Sequence, residues 1–295
     1  RKLNFNYLNR GESNKSTKDF IIKKVIYILA LFLTVPTLFG LLAFTEKGKE
    51  TDWSKKHIAI LGDSNTWLGG DECDKPKGWN KWFKETLKPA SCKSYARSGA
   101  TWTNTLNTIR NISDYSERLS DNNVIYNQIE RLHNAVETGV QSVPDIVIIA
   151  AGTNDAWFQA KRPQAFAETS KEVFAISETD LLQRKPSEVL SVAASVRYSC
   201  LLVKKYFPKS VIILLTPMQT TATSLQNITK TGNIIEECAR KMNVLVIRQD
   251  KISCVKRSIE LRRKTYTADG THTNSKGAHK NGVMLAQEIK NHTLK

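Results

Sequence analysis

The chain has 295 residues, 40% hydrophobic and 24% charged, with 14 glycines and 8 prolines. That is apolar enough to bury a sizeable core, and too poor in Gly and Pro for a collagen-like or low-complexity chain; no repeat of solenoid or propeller length is present. The formal charge is +16, but the first 24 residues hold 7 Lys/Arg against 2 Asp/Glu, and the remaining excess lies in scattered doublets without zinc-finger, RNP or basic-zipper context, so no specific nucleic-acid binding is expected.

Residues 1–24 read as a basic polar tail. Residues 25–44, VIYILALFLTVPTLFGLLAF, carry no charge. As a helix rising ~1.5 Å per residue they would span ~30 Å, the hydrocarbon thickness of a bilayer. A transmembrane helix or uncleaved signal anchor is expected here. A cleaved signal peptide is the rival, but the run ends LLAFTEKGKE rather than in small residues of A-x-A type. The Lys/Arg bias across the run, with Lys47, Lys49, Lys55 and Lys56 beyond it, puts the tail on the cytoplasmic side and exports the large domain to the periplasm or the extracellular side. Residues 45–56 form a polar linker, and residues 57–295 the catalytic-size domain.

In that domain apolar runs of strand length alternate with longer amphipathic stretches. Strands are expected at 57–61 (HIAIL), 94–96, 145–150 (DIVIIA), 210–216 (SVIILLT) and 244–247, and helices at about 79–87, 123–138, 187–206, 224–242 and 276–290. Three of the strands are near-continuous apolar runs, the mark of strands covered on both faces. The rhythm predicts an α/β fold with right-handed crossovers and a parallel sheet, whose ligands bind beyond the carboxyl ends of the strands. The five cysteines, Cys73, Cys92, Cys200, Cys238 and Cys254, show no metal-ligand spacing. In an exported domain Cys73 and Cys92 could bridge the loop between two early elements; the odd count leaves at least one thiol over.

The chemistry-bearing residues follow the strands. After the first comes Gly62-Asp63-Ser64-Asn65, a tight corner that can present a hydroxyl at a helix start, where backbone N–H groups favour a developing anion. Helix capping by Asp63 or Ser64 accounts for such a corner equally well. No GxxxxGK[ST] or GxGxxG is present, so an NTPase or dehydrogenase finds no support. Arg97-Ser98-Gly99-Ala100-Thr101 follows the second strand and Gly152-Thr153-Asn154-Asp155 the third. Gly99 can offer a backbone N–H and Asn154 a neutral side-chain donor, although ordinary turns use the same residues. Near the end stands Asp269-Gly270-Thr271-His272. An Asp three residues before a His can accept from imidazole Nδ1–H and leave Nε2 free to take a proton from a serine. Of the five histidines only His272 has this arrangement.

Together these blocks resemble the GDSL/SGNH hydrolase family: Ser64 in GDSN, Gly99 in ARSGAT, Asn154 in PDIVIIAAGTND and His272 in DGTHTNSKG. The resemblance implies a three-layer α/β/α, flavodoxin-like fold with a five-stranded parallel sheet. It also implies Ser64 as nucleophile, His272 as general base, Asp269 as the orienting acid, and an oxyanion hole made by the N–H groups of Ser64 and Gly99 with the Asn154 side chain. No metal or organic cofactor is implied. Asn65 departs from the namesake leucine. The expected activity is ester hydrolysis through an acyl-enzyme. Two alternatives use the same domain: an O-acyltransferase passing the acyl group to a glycan alcohol, and a noncatalytic glycan-binding module.

All 6 tryptophans lie in the first 157 residues, and Trp67, Trp102 and Trp157 each follow Ser64, Gly99 and Asn154 by three. As flat platforms for a sugar ring they would make the substrate an acylated carbohydrate, acetyl first; bracing the edge of the core is the plainer role for large aromatics. The charged segment between Trp157 and Pro186 is either a gate over the cleft or a surface excursion.

Overall fold

The structure is a computed structural model and describes residues 51–113 and 120–293. The apolar run 25–44 and the polar tail before it lie outside the described residues. Among the described residues no helix is long and apolar enough to cross a membrane. Thr51–Lys295 forms one compact unit.

Five strands, β1 (His57–Gly62), β2 (Ser91–Ser94), β3 (Ile146–Ala150), β4 (Val211–Leu215) and β5 (Leu245–Ile247), pair in the order β2-β1-β3-β4-β5, every pair parallel. The helices are α1 (Ser64–Trp67), α2 (Trp79–Leu87), α3 (Ile125–Glu137), α4 (Thr153–Trp157), α5 (Ser170–Ala175), α6 (Glu178–Gln183), α7 (Val192–Tyr206), α8 (Leu225–Met242), α9 (Gln249–Ile252), α10 (Arg257–Arg262) and α11 (Ser275–Thr293).

The apolar strands divide their side chains between two cores. Ala59, Leu61, Val147, Ile149, Ile212 and Leu214 pack with α3, α7 and α8. Ile58, Ile60, Ile146, Ile148, Ile213 and Leu215 pack with Trp79 and Phe83 of α2 and with Leu285 and Ile289 of α11. Helices therefore cover both faces, which makes the fold a three-layer α/β/α sandwich. Each Val, Leu, Ile or Phe among them, fully buried, contributes roughly 1.5–3 kcal/mol.

The second strand sits earlier than its expected position at 94–96. Ser91–Ser94 alternates half-buried and buried residues, so its signal is a period of two at the sheet edge, not an apolar run. The segment 158–185 is a helical excursion. Its Ala165, Val173 and Leu181 enter the α7 core, and Arg197 of α7 donates to the carbonyls of Val173 and Ile176 at 2.6 and 2.8 Å.

Topology sets the site. From β1 the chain moves out to β2, then returns past β1 to β3, so the order reverses between β1 and β3, where an open sheet leaves a crevice at its carboxyl edge. Gly62 and Ala150, the last residues of those strands, are register partners, so the corners that follow them lie side by side.

Candidate active site

The corner after β1 is tight because Gly62 admits close neighbours: a Cβ there would lie 2.7 Å from the Ala150 carbonyl and from Thr66 Oγ1. The buried Gln128 side chain grips the same residue, accepting from its N–H at 2.8 Å and donating to its carbonyl at 2.9 Å. Asp63 caps α1 by accepting from the Asn65 N–H, and Ser64 opens the helix with only 6% of its surface exposed. Burial pushes the Asp63 carboxyl up to about 6, against the pull of hydrogen bonds from Thr153 and Asn65.

Asp269 and His272 come from the loop before α11, His272 standing 208 residues from the serine. Asp269 Oδ1 accepts from the backbone N–H groups of Thr271 and His272 at 2.9 and 2.8 Å, curling the loop back on itself. His272 Nδ1 lies 2.6 Å from Asp269 Oδ2, and His272 Nε2 lies 2.9 Å from Ser64 Oγ. Burial alone would raise the Asp269 carboxyl, but the bonds from the His272 ring and backbone and from Thr271 outweigh it and hold the carboxyl below its ordinary range. An ionised carboxylate on Nδ1–H leaves Nε2 as the acceptor toward the serine hydroxyl, the arrangement that can draw a proton from an attacking oxygen.

Gly99 takes a φ of +73°, a left-handed backbone that glycine adopts without strain. Its turn is closed by the Ala100 N–H donating to the Arg97 carbonyl and by Asn123 Nδ2 donating to the Ser98 carbonyl. Asn154, buried on α4, donates from Nδ2 to the Ala100 carbonyl at 2.9 Å, which fixes its amide beside the residue following Gly99. The neighbouring Asp155 accepts from the N–H groups of Trp102 and Thr103, both at 3.0 Å, and from Thr103 Oγ1 at 2.8 Å. Burial raises the Asp155 carboxyl, with those bonds acting against it. Sequence reasoning left Asp155 out, although it stands in the same block as Asn154.

Ser64, Trp67, Lys77, Ser98, His272 and Thr273 line a recess of about 270 Å³. Of the three tryptophans, Trp67 is therefore at the serine. Trp157 is 45% exposed and stacks on Phe158 at 6.2 Å. Trp102 corrects the expectation: it is 1% exposed and part of the core that α3 and α7 build. Asp155 anchors its backbone and its ring turns inward, where so large an apolar surface is best buried.

The other histidines are engaged locally: His57 with Ser91 Oγ, His133 stacked on Tyr206, His279 edge-on to Trp82, and His292 with the Glu288 carbonyl. Cys73 and Cys92 are free thiols whose sulfurs lie 3.7 Å apart. Among the described residues no three His, Cys, Asp or Glu side chains converge as a metal site.

A profile of the family described as GDSL-like Lipase/Acylhydrolase matches residues 58–282. Among solved structures, a protein from Lactobacillus plantarum is 13% identical, with 81% of this chain and 98% of that chain covered and a TM-score of 0.55. A possible lipase from Chitinophaga pinensis is 13% identical over 82% and 100%, with a TM-score of 0.48. The lipase/acylhydrolase from Enterococcus faecalis is 18% identical over 80% and 96%, with a TM-score of 0.45. At 13% identity the likeness to the Lactobacillus plantarum protein bears on the fold alone. No curated protein matches the sequence.

Proposed function

Because the chain belongs to the GDSL-like lipase/acylhydrolase family, we propose that it is a serine esterase that removes an acyl group, acetyl first, from a carbohydrate through Ser64, His272 and Asp269. The observation that carries this reading is the unbroken bond chain from Asp269 through His272 to Ser64 Oγ. Ser64 Oγ attacks the ester carbonyl carbon while His272 Nε2 takes its proton. The tetrahedral oxyanion is received by the N–H groups of Ser64 and Gly99 and by the Asn154 amide. That amide has two N–H donors, and only one is committed to Ala100. His272 returns the proton to the departing alcohol, and a water, deprotonated in the same way, releases the acyl-enzyme.

The carbohydrate part of the reading is supported by Trp67 lining the serine's recess and by the exposed ring of Trp157. Trp102 plays no part in it.

The test is to label the full chain with a fluorophosphonate and map the modified peptide, alongside Ser64→Ala assayed on p-nitrophenyl acetate and an acetylated xylo-oligosaccharide. Label on Ser64 and a loss of turnover of about 10⁴- to 10⁶-fold in the variant are expected. Asn154→Ala should lose about 10²- to 10³-fold. Wild-type turnover in Ser64→Ala, with unchanged circular dichroism, removes the serine from the mechanism.

A further inference from the structure

The Ser98-Gly99 turn stands between two recesses: Ser98 lines the one that holds Ser64 and His272, and Gly99 lines the next. The second measures about 320 Å³ and is walled by Thr101, Asp121, Phe158, Lys161 and Arg162 as well as Gly99. This is the size of a pocket that takes a small-molecule group. It also shares with the reaction the residue assigned to receive the oxyanion, so a substrate whose carbonyl oxygen sits on the Gly99 N–H has the rest of its body within reach of this wall.

Among the described residues that line it, two of the three charged side chains are cationic. Asp121, the anion, already accepts from Asn107 Nδ2 at 3.2 Å. The Arg162 guanidinium lies 5.3 Å from the centroid of the Phe158 ring, a contact that orients its plane without consuming its five N–H donors. Arg162 also feels the charge of the buried Asp155, but the Asp155 oxygens are taken by Trp102 and Thr103. Among the described residues neither Lys161 nor Arg162 forms a salt bridge with a carboxylate.

We propose that this recess is a subsite for an anionic group, a carboxylate or a phosphate, on the sugar that bears or adjoins the scissile ester, with Arg162 as its fork-shaped donor and Lys161 as its second charge. The inference rests on the esterase reading and narrows its substrate to acidic acylated glycans. A planar guanidinium pairs with either anion through two parallel hydrogen bonds. The chain beyond the basic tail still carries a formal charge of +11, which favours encounter with such a substrate.

The experiment uses the full chain and three acetylated substrates: a uronate oligosaccharide, a sugar phosphate and a neutral xylo-oligosaccharide. The quantity read is the ratio of kcat/KM for each anionic substrate to that for the neutral one. A ratio of about 10 or more in the wild type is expected, falling to about one in Arg162→Gln, less far in Lys161→Gln, and toward one as salt is raised in the wild type. Which anionic substrate is preferred identifies the carboxylate or the phosphate as the ligand. A wild-type ratio of one or below, or a ratio that neither variant moves, overturns the subsite. Fluorophosphonate labelling of Ser64 in the same preparations separates the two readings: label with a flat ratio rejects the subsite alone, and absence of label rejects the esterase and the subsite together.

Discussion

Asn65, the residue that departs from the namesake leucine, ties the two halves of the site together. Its Oδ1 accepts from the Thr273 N–H at 3.1 Å in a buried setting, joining the serine corner to the residue after His272. Asn65→Leu would leave that N–H without a partner, at a cost of about 1–3 kcal/mol. Urea unfolding should show this loss together with a lower kcat; a variant as stable and as fast as the wild type would mean that the bond contributes nothing. Asp269 makes a second residue-scale prediction. Its folded carboxyl titrates below its unfolded value, so its contribution to stability is complete above the unfolded value of ~3.9 and is lost as pH falls through the folded one. Asp63 has the opposite sign. Raised to about 6 by burial, it favours the folded state fully below the unfolded value and loses that contribution as pH climbs toward the folded one. Melting temperature followed down into acid should fall less steeply in Asp269→Asn than in the wild type; an unaltered slope would contradict the assignment.

Helices α2 and α11 meet where a glycine lets them. A Cβ at Gly282 would stand 2.3 Å from the Trp79 carbonyl and 2.7 Å from Trp82 Cβ, so Gly282→Ala must push the two helices apart. Overpacking of this kind costs about 1–3 kcal/mol; thermal unfolding should register it, and an unshifted melting temperature would show that the helices yield freely. The longer elements were legible in the sequence because their signal is local. Trp79–Leu87 and Leu225–Met242 carry the 3.6-residue apolar period that the structure buries, and β3, β4 and β1 beyond His57 are apolar runs. Of the shorter ones, Leu245–Ile247 was legible and several others were not. The half-buried edge strand Ser91–Ser94 has no apolar run, and α4 and α9 are five and four residues long, too short for any period to appear. The neighbouring Cys73 and Cys92, drawn from the loop before α2 and from β2, show how separate elements bring two buried thiols into contact.

For the molecule as a whole, residues 25–44 and the basic tail before them underlie the proposal of a membrane-anchored esterase with its catalytic domain exported. We expect the full chain to sediment with membranes, to resist alkaline carbonate and to be released by detergent. Leu31→Lys combined with Leu38→Lys should move it to the soluble fraction, because a charge at the bilayer centre costs about 2.5–3.5 kcal/mol. Recovery of the unaltered chain in the soluble fraction would sink the anchor. The sequence by itself determined the parallel α/β class, the order of the four blocks and the uncharged 20-residue run, since each is written in residues close together along the chain. Only the tertiary structure decided that Trp102 turns into the core while Trp67 stays at the serine, that Asp155 and Asn65 hold the loops which carry the chemistry, and that Lys161 and Arg162 border the recess at Gly99. The physical reason is that burial and hydrogen bonding between segments up to 208 residues apart arise only when the sheet sets the carboxyl ends of its strands side by side, and no local pattern records which side chain then faces solvent, core or substrate.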